Sequence, residues 1–272
     1  MVKTFVLYDK IYNISTENQK NLIIKRYFKY LNQLCQSFPN TKIKFKKLRE
    51  FDKRIEVEII GPEEVFIFNL LKKEIGTINN FEDINPNIIV KGTLIDVGKV
   101  GFGIFVDCAI LNPQTDVLIN LHSLREQLCS NKEKSLKEII KIYDFIDNFP
   151  IWVKIVSIDK EKQQIQGILD DLTLDFYKRL IKEGLEAVFL TGETKGQFKK
   201  ALIRRGHLRD IVSIERYGFL ENVVILKEGT NAPGIIADIG KYLKNCKMSA
   251  IRPEKFKNFF NFEGVDSGPA EV

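Results

Sequence analysis

The chain has 272 residues, with 42 lysines and arginines against 36 aspartates and glutamates, for a formal net charge of +6. Apolar residues make up 44% and charged residues 29%, a globular balance that excludes a disordered or collagen-like chain. No run of about 18 apolar residues offers a transmembrane helix, and at about 150 residues per domain the length allows two domains or three small ones.

In chain order, Thr4–Tyr8 reads as a strand. Ser15 or Thr16 caps a helix that carries Leu22, Ile23, Tyr27, Phe28, Tyr30, Leu31 and Leu34 at helical spacing. Residues 42–46 and 54–59 alternate and form a hairpin about residues 50–53, and Pro62-Glu63-Glu64 opens a second helix that Gly76 closes. The order β-α-β-β-α over residues 1–87 is most of a ferredoxin-like unit. Residues 88–171 hold five strand patterns, at 88–97, 103–108, 116–121, 151–159 and 164–169, with a helical stretch near 135–146 between the third and fourth. That is the element order of an OB barrel. A linking helix over Leu172–Glu183 leads into β-α-β-β-α-β, the complete ferredoxin-like order, ending near residue 261. Residues 262–272 read as a flexible tail. The expected fold is therefore α+β: a central five-stranded OB β-barrel flanked by two ferredoxin-like domains.

Composition and motifs narrow the chemistry. Asp9 comes too early for the apolar core of a signal peptide. Cys35, Cys108, Cys129 and Cys246 form no CxxC pair, so reduced thiols in a cytoplasm are expected. With only His122 and His207, no zinc site is expected, and His122 is expected to cap or pack at a strand end. GxSxG, HExxH and Walker patterns are absent from the sequence. The glycine run from Gly98 to Gly103 lies between two strands and reads as a turn and bulge. No nucleophile–base pair stands out, so neither an enzyme nor a cofactor or metal site is expected. Charge is uneven: residues 1–88 carry +4, residues 89–171 carry −2 and residues 172–272 carry +4, which returns the +6 of the chain.

The segment Phe102-Gly103-Ile104-Phe105-Val106-Asp107, with residues 117–122 and 157–161, resembles the S1-type RNA-binding module. That resemblance implies an RNA platform with Phe102 and Phe105 as its aromatics. Asn120 stands where that family has a histidine, and Gln164 where it often has a basic residue. The stretch from Arg205 to Asp210, then Glu215-Arg216, then Gly229-Thr230-Asn231-Ala232-Pro233-Gly234, resembles the archaeal family called domain of unknown function 2110. That resemblance spans the chain and implies an archaeal cytoplasmic protein, without an activity. The order barrel, helix, α/β domain is also similar to the alpha subunit of archaeal translation initiation factor two, which suggests a setting in translation.

Three polar groupings are candidate sites. Lys199, Lys200, Arg204, Arg205, His207 and Arg209 crowd the end of one helix, and such clustered cations suit phosphates. In the first hairpin, Lys46 is expected opposite Glu56 and Lys44 opposite Glu58, which leaves Lys47 and Arg49 as the freer cations. Phe105 points out of the barrel, where an aromatic either stacks on bases or is covered by a neighbouring domain. Thr230, Asn231 and Gly234 open a helix whose free N–H groups could hold an anion or small ligand; this start also resembles that of ACT ligand-sensing domains. The leading expectation is a non-enzymatic RNA-binding factor acting on ribosomal or transfer RNA, with a ribosome-associated complex as a further partner and no membrane. The alternatives are a protein-interaction scaffold of the transcription or ribosome apparatus, and an ACT-like small-molecule sensor.

Overall fold

A computed structural model describes residues 2–244 and 246–260; the tail expected over 262–272 lies outside the described residues. The first unit comprises β1 (Val2–Lys10), α1 (Glu17–Leu34), β2 (Lys42–Leu48), β3 (Arg54–Ile60) and α2 (Glu64–Glu74). Thr16 caps α1, its side chain accepting the Gln19 N–H at 3.2 Å. The sheet is antiparallel in the order β1-β3-β2. Leu7, Val57 and Ile59 point to one face and pack with Tyr27 and Leu31 of α1 and Ile67 and Leu71 of α2. Thr4, Glu58 and Lys44 stand in register on the other face. A single bridge from Leu7 to Thr77 occupies the place of a fourth strand. The chain then leaves this sheet, and β4 (Asn79–Asn80) pairs in parallel with a barrel strand.

The barrel consists of β5 (Ile89–Ile95), β6 (Gly103–Leu111), β7 (Thr115–Asn120), β8 (Pro150–Asp159) and β9 (Gln164–Leu169). β5 pairs with β6 and β8, β6 with β7, β8 with β9, and β7 closes the ring by a parallel pairing with β9. This is the closed OB order. Two helices lie between β7 and β8 where one was expected: α3 (Leu121–Cys129) and α4 (Leu136–Tyr143), the latter opened by a Ser135–Glu138 capping box. Asn120 caps α3 by accepting the Ser123 N–H at 2.8 Å. His122 is therefore an exposed residue of the first turn of α3, and neither caps nor packs at the strand end.

The last unit runs α5 (Asp171–Glu183), β10 (Ala187–Thr191), α6 (Lys195–Arg204), β11 (Ile211–Arg216), β12 (Glu221–Leu226), α7 (Ala232–Ile239), β13 (Lys247–Ile251) and α8 (Pro253–Phe260). Its sheet is antiparallel in the full ferredoxin-like order, β11-β12-β10-β13. Every residue of β10 and β12 is buried, because both sheet faces are covered. Val188, Leu190, Val224 and Leu226 join the core with α6 and α7. Ala187, Phe189, Val223 and Ile225 join the barrel core, where the Phe189 ring stacks on Phe149 at 4.2 Å and 9°. The turn between β11 and β12 reaches the other way: Phe219 and Leu220 bury in the core of the first unit, Phe219 at 4.7 Å from Tyr27. The first unit is tied to the barrel by Arg54, 1% exposed, which donates to the Tyr8 carbonyl at 3.1 Å and to Asp107 at 2.9 Å.

Candidate functional site

The basic end of α6 is only partly free. Lys199, Lys200 and Arg209 are exposed and have no ion-pair partner among the described residues. The Arg204 guanidinium lies over the Tyr242 ring at 4.6 Å, and Lys241 over the same ring at 5.3 Å. Arg205 and His207 are engaged. Asp238 of α7 takes Arg205 at 3.3 Å and His207 Nε2 at 3.0 Å, while Asp210 takes His207 Nδ1 at 2.9 Å. The hydrogen bond to Asp210 raises the His207 pKa above the usual imidazole range. Two of the six expected phosphate contacts are thus spent on the fold.

The hairpin departs further from expectation. A bulge between Phe45 and Lys47 brings Lys46 and Lys47 to the same carboxylate, Glu56, at 2.9 and 3.4 Å. Hydrogen bonds from Lys46 hold the Glu56 carboxyl below its ordinary range. Arg49 pairs with Asp52 at 3.2 Å and lies over the Phe51 ring at 4.3 Å. Lys47 and Arg49 are therefore not the freer cations. Lys44 stands opposite Glu58 as expected.

On the barrel, Phe102 is 56% exposed and meets Phe105 edge to face at 6.0 Å and 89°. Phe105 is half-buried and in register with Leu118 of β7. The next outward position, Asp107, is covered by Arg54 and Lys10 of the first unit. Burial alone would raise its carboxyl, but Arg54 and Lys10 overcome that and hold it at about 2. On the neighbouring strand Asp116 is pushed up to about 6, by burial first and then by Asp107. The N-terminal unit therefore closes one half of the β6 face and leaves the Phe102–Phe105 end open.

The start of α7 is not an anion site. The Asn231 side chain accepts the Gly234 N–H at 2.7 Å, and the Ala232 N–H donates to Glu186 at 2.6 Å. A second anion beside Thr230 would face that carboxylate, which removes Thr230, Asn231 and Gly234 as ligand residues.

One large concavity was not foreseen from sequence. A cleft of about 700 Å³ opens where all three units meet. β8 contributes Trp152, α5 contributes Phe176 and Arg179, and the C-terminal sheet contributes Glu215, Arg216 and Tyr217. Asp9, Tyr30, Glu74 and Lys91 come from the first unit and β5. Tyr217 is the hub, edge-on to Trp152 at 6.0 Å and to Phe176 at 5.5 Å. Lys91 donates to the Tyr217 carbonyl, and the Arg216 guanidinium lies over the Tyr30 ring at 4.2 Å. Asp9, 6% exposed, accepts from Tyr27 at 3.2 Å; burial raises its carboxyl against the pull of Lys91. Deeper in the same interface Tyr12 donates to Glu221, which burial, then Asp9, pushes up to about 8. The sequence does hold one signal of this cleft: Trp152 stands between Ile151 and Val153, both buried, so alternation turns the chain's single tryptophan outward.

Residues 185–251, which span most of this last unit, match the family model for the DUF2110 C-terminal domain. That domain supplies Glu215, Arg216 and Tyr217 to the cleft and the whole basic end of α6. No curated protein matches the chain. Among solved structures, the chain is similar to uncharacterized protein MJ1198 from Methanocaldococcus jannaschii at 19% identity, over 33% of this chain and 97% of that one, with a TM-score of 0.23. It is similar to a chain of the a/eIF2alpha-aDim2p-rRNA complex from Pyrococcus horikoshii OT3 at 14% identity, over 47% and 70%, with a TM-score of 0.24. Its likeness to the intact alpha subunit of aIF2 from Pyrococcus abyssi is 11% identity over 63% and 98%, with a TM-score of 0.24. At these TM-scores none of the likenesses carries an argument about function.

Proposed function

We propose that this protein is a non-enzymatic RNA-binding factor that acts on ribosomal or transfer RNA in the archaeal translation machinery of the cytoplasm. The observation that carries the reading is the open end of the barrel face, where Phe102 is 56% exposed and braced edge-on by Phe105. An exposed ring held in one orientation stacks on an unpaired base without first losing side-chain freedom. Lys199, Lys200, Arg204 and Arg209 add a cationic surface on the DUF2110 C-terminal domain, which would contribute salt-dependent contacts to the backbone.

The test is a fluorescence-anisotropy titration of labelled transfer RNA and ribosomal RNA fragments at two salt concentrations. Phe102→Ala should weaken binding by about tenfold, a loss typical of one stacked base. Reversing Lys199, Lys200 and Arg209 to glutamate should flatten the salt dependence. No binding, or binding indifferent to both changes, overturns the reading. A pull-down from native-host lysate identifies the RNA: one class should be enriched and should vanish on nuclease treatment. A protein-scaffold reading is favoured by one surface, the exposed Val65 and Phe66 of α2 beside Phe38. Its mark is partners that survive nuclease.

A further inference from the structure

We propose that the three-unit cleft is a binding pocket for a single nucleotide: one nucleobase together with one phosphate. Its volume, about 700 Å³, lies within the range of small-molecule sites. The walls are aromatic. Trp152 and Phe176 are fixed edge-on against Tyr217, and Arg216 lies over Tyr30 at 4.2 Å. A guanidinium over a ring adds to the stacking surface, because bases stack on arginine planes as they do on aromatic rings.

The polar groups decide between ligand classes. The lining sets Lys91, Arg179 and Arg216 among four carboxylates, Asp9, Glu74, Asp175 and Glu215. A strand threading the cleft would bring successive phosphates past these carboxylates and be repelled. A cationic ligand would meet rings that already carry Lys91 and Arg216. A nucleobase is neutral and presents donors and acceptors on one edge, which matches a mixed lining. One phosphate has a place as well: Arg216 has no carboxylate at salt-bridge distance among the described residues, and Arg179 reaches only Glu215, at 3.5 Å. A guanidinium free of a carboxylate is suited to a bidentate phosphate contact.

The inference does not rest on the RNA-binding reading, since a free mononucleotide and an unstacked nucleotide of an RNA present the same chemistry. Trp152 is the only tryptophan of the chain, so its fluorescence reports the cleft directly. The full-length protein is titrated with each of the four ribonucleoside 5′-monophosphates, with ribose 5-phosphate, with inorganic phosphate and with free phenylalanine and tyrosine. At least one mononucleotide should shift the Trp152 emission and bind at least tenfold more tightly than ribose 5-phosphate. Arg216→Ala, at an exposed position, should weaken it at least tenfold, and Lys137→Ala, at an exposed position of α4 away from the cleft, should leave it unchanged. Should Arg216→Ala fail to fold, Arg179→Ala serves, with a severalfold loss expected. No response to any mononucleotide at millimolar concentration overturns the proposal, and so does an equal response to phosphate alone or to the amino acids. A single-stranded RNA arm separates the two readings. Mononucleotide binding without RNA binding leaves the pocket standing and refutes the RNA-binding factor. RNA binding that leaves Trp152 and Arg216→Ala without effect, with no mononucleotide response, refutes the pocket alone.

Discussion

Replacing Glu221 with glutamine should stabilise the protein, and by an amount that depends on pH. Glu221 lies fully within the interface of the first and last units, 6% exposed, with Tyr12 donating to it and Asp9 nearby. Burial, reinforced by Asp9, raises its carboxyl from an ordinary 4.5 to about 8. A raised carboxyl favours the protonated folded state, so the stability it permits is fully present below pH 4.5 and is lost as pH rises toward 8. At about 1.4 kcal/mol per unit, the loss is roughly 3 kcal/mol at pH 7 and about 5 kcal/mol at pH 8 and above. Glutamine reproduces the protonated carboxyl in shape, keeps an acceptor for the Tyr12 hydroxyl and does not ionise. Glu221→Gln and wild type should therefore be equally stable at pH 4.5, and the variant should gain steadily to pH 8 and then hold a constant lead. Urea unfolding followed by Trp152 fluorescence at pH 5, 6, 7, 8 and 9 measures this. A lead that is the same at pH 5 and pH 8, or a variant less stable at pH 8, would refute the assignment of a neutral Glu221 to the folded state.

Asp107→Asn leaves Arg54 with one of its two carboxylate partners in a site where Arg54 is 1% exposed, and should cost about 3–5 kcal/mol in urea unfolding at pH 7. Because Asp107 is held at about 2, that wild-type contribution is present above pH 3.8 and should fade as pH falls toward 2, so the variant's deficit shrinks in acid. Phe219→Ala should cost about 3–5 kcal/mol, since it opens a cavity against Tyr27 and Tyr30. Its signature is earlier hydrogen exchange in α1 than in β8. Asn120→Ala should cost about 1 kcal/mol as a lost helix cap and leave RNA affinity unchanged; a selective loss of RNA affinity would show that Asn120 contacts the ligand.

The architecture was largely legible before the structure, for identifiable reasons. β7 and β9 alternate cleanly between buried and open positions, and Ser135 with Glu138 announces α4. α3 was missed because it starts on the last residue of a strand, with Asn120 serving as strand end and cap at once. The expected charge groupings failed where a carboxylate comes from elsewhere in the sequence. Asp238 lies 33 residues from Arg205, and no local pattern announces it. Lys47 was misplaced by one bulge, which moved it onto the carboxylate already assigned to Lys46. The cleft was out of reach because periodicity tells which way a side chain points but not what stands opposite. Its lining runs from Asp9 to Gly218.

The turn that carries Phe219 and Leu220 has a consequence during synthesis. These two side chains complete the core of the N-terminal unit, yet they are made well over a hundred residues after its last helix, which ends at Glu74. At ribosomal speeds of roughly 5–20 residues per second, the nascent first unit waits on the order of ten seconds with Tyr27 and Tyr30 uncovered. In that interval the exposed rings are accessible to chaperones and proteases. Truncations ending before residue 219 should therefore leave a first unit with an unfilled core, which the arrival of the β11–β12 turn would complete.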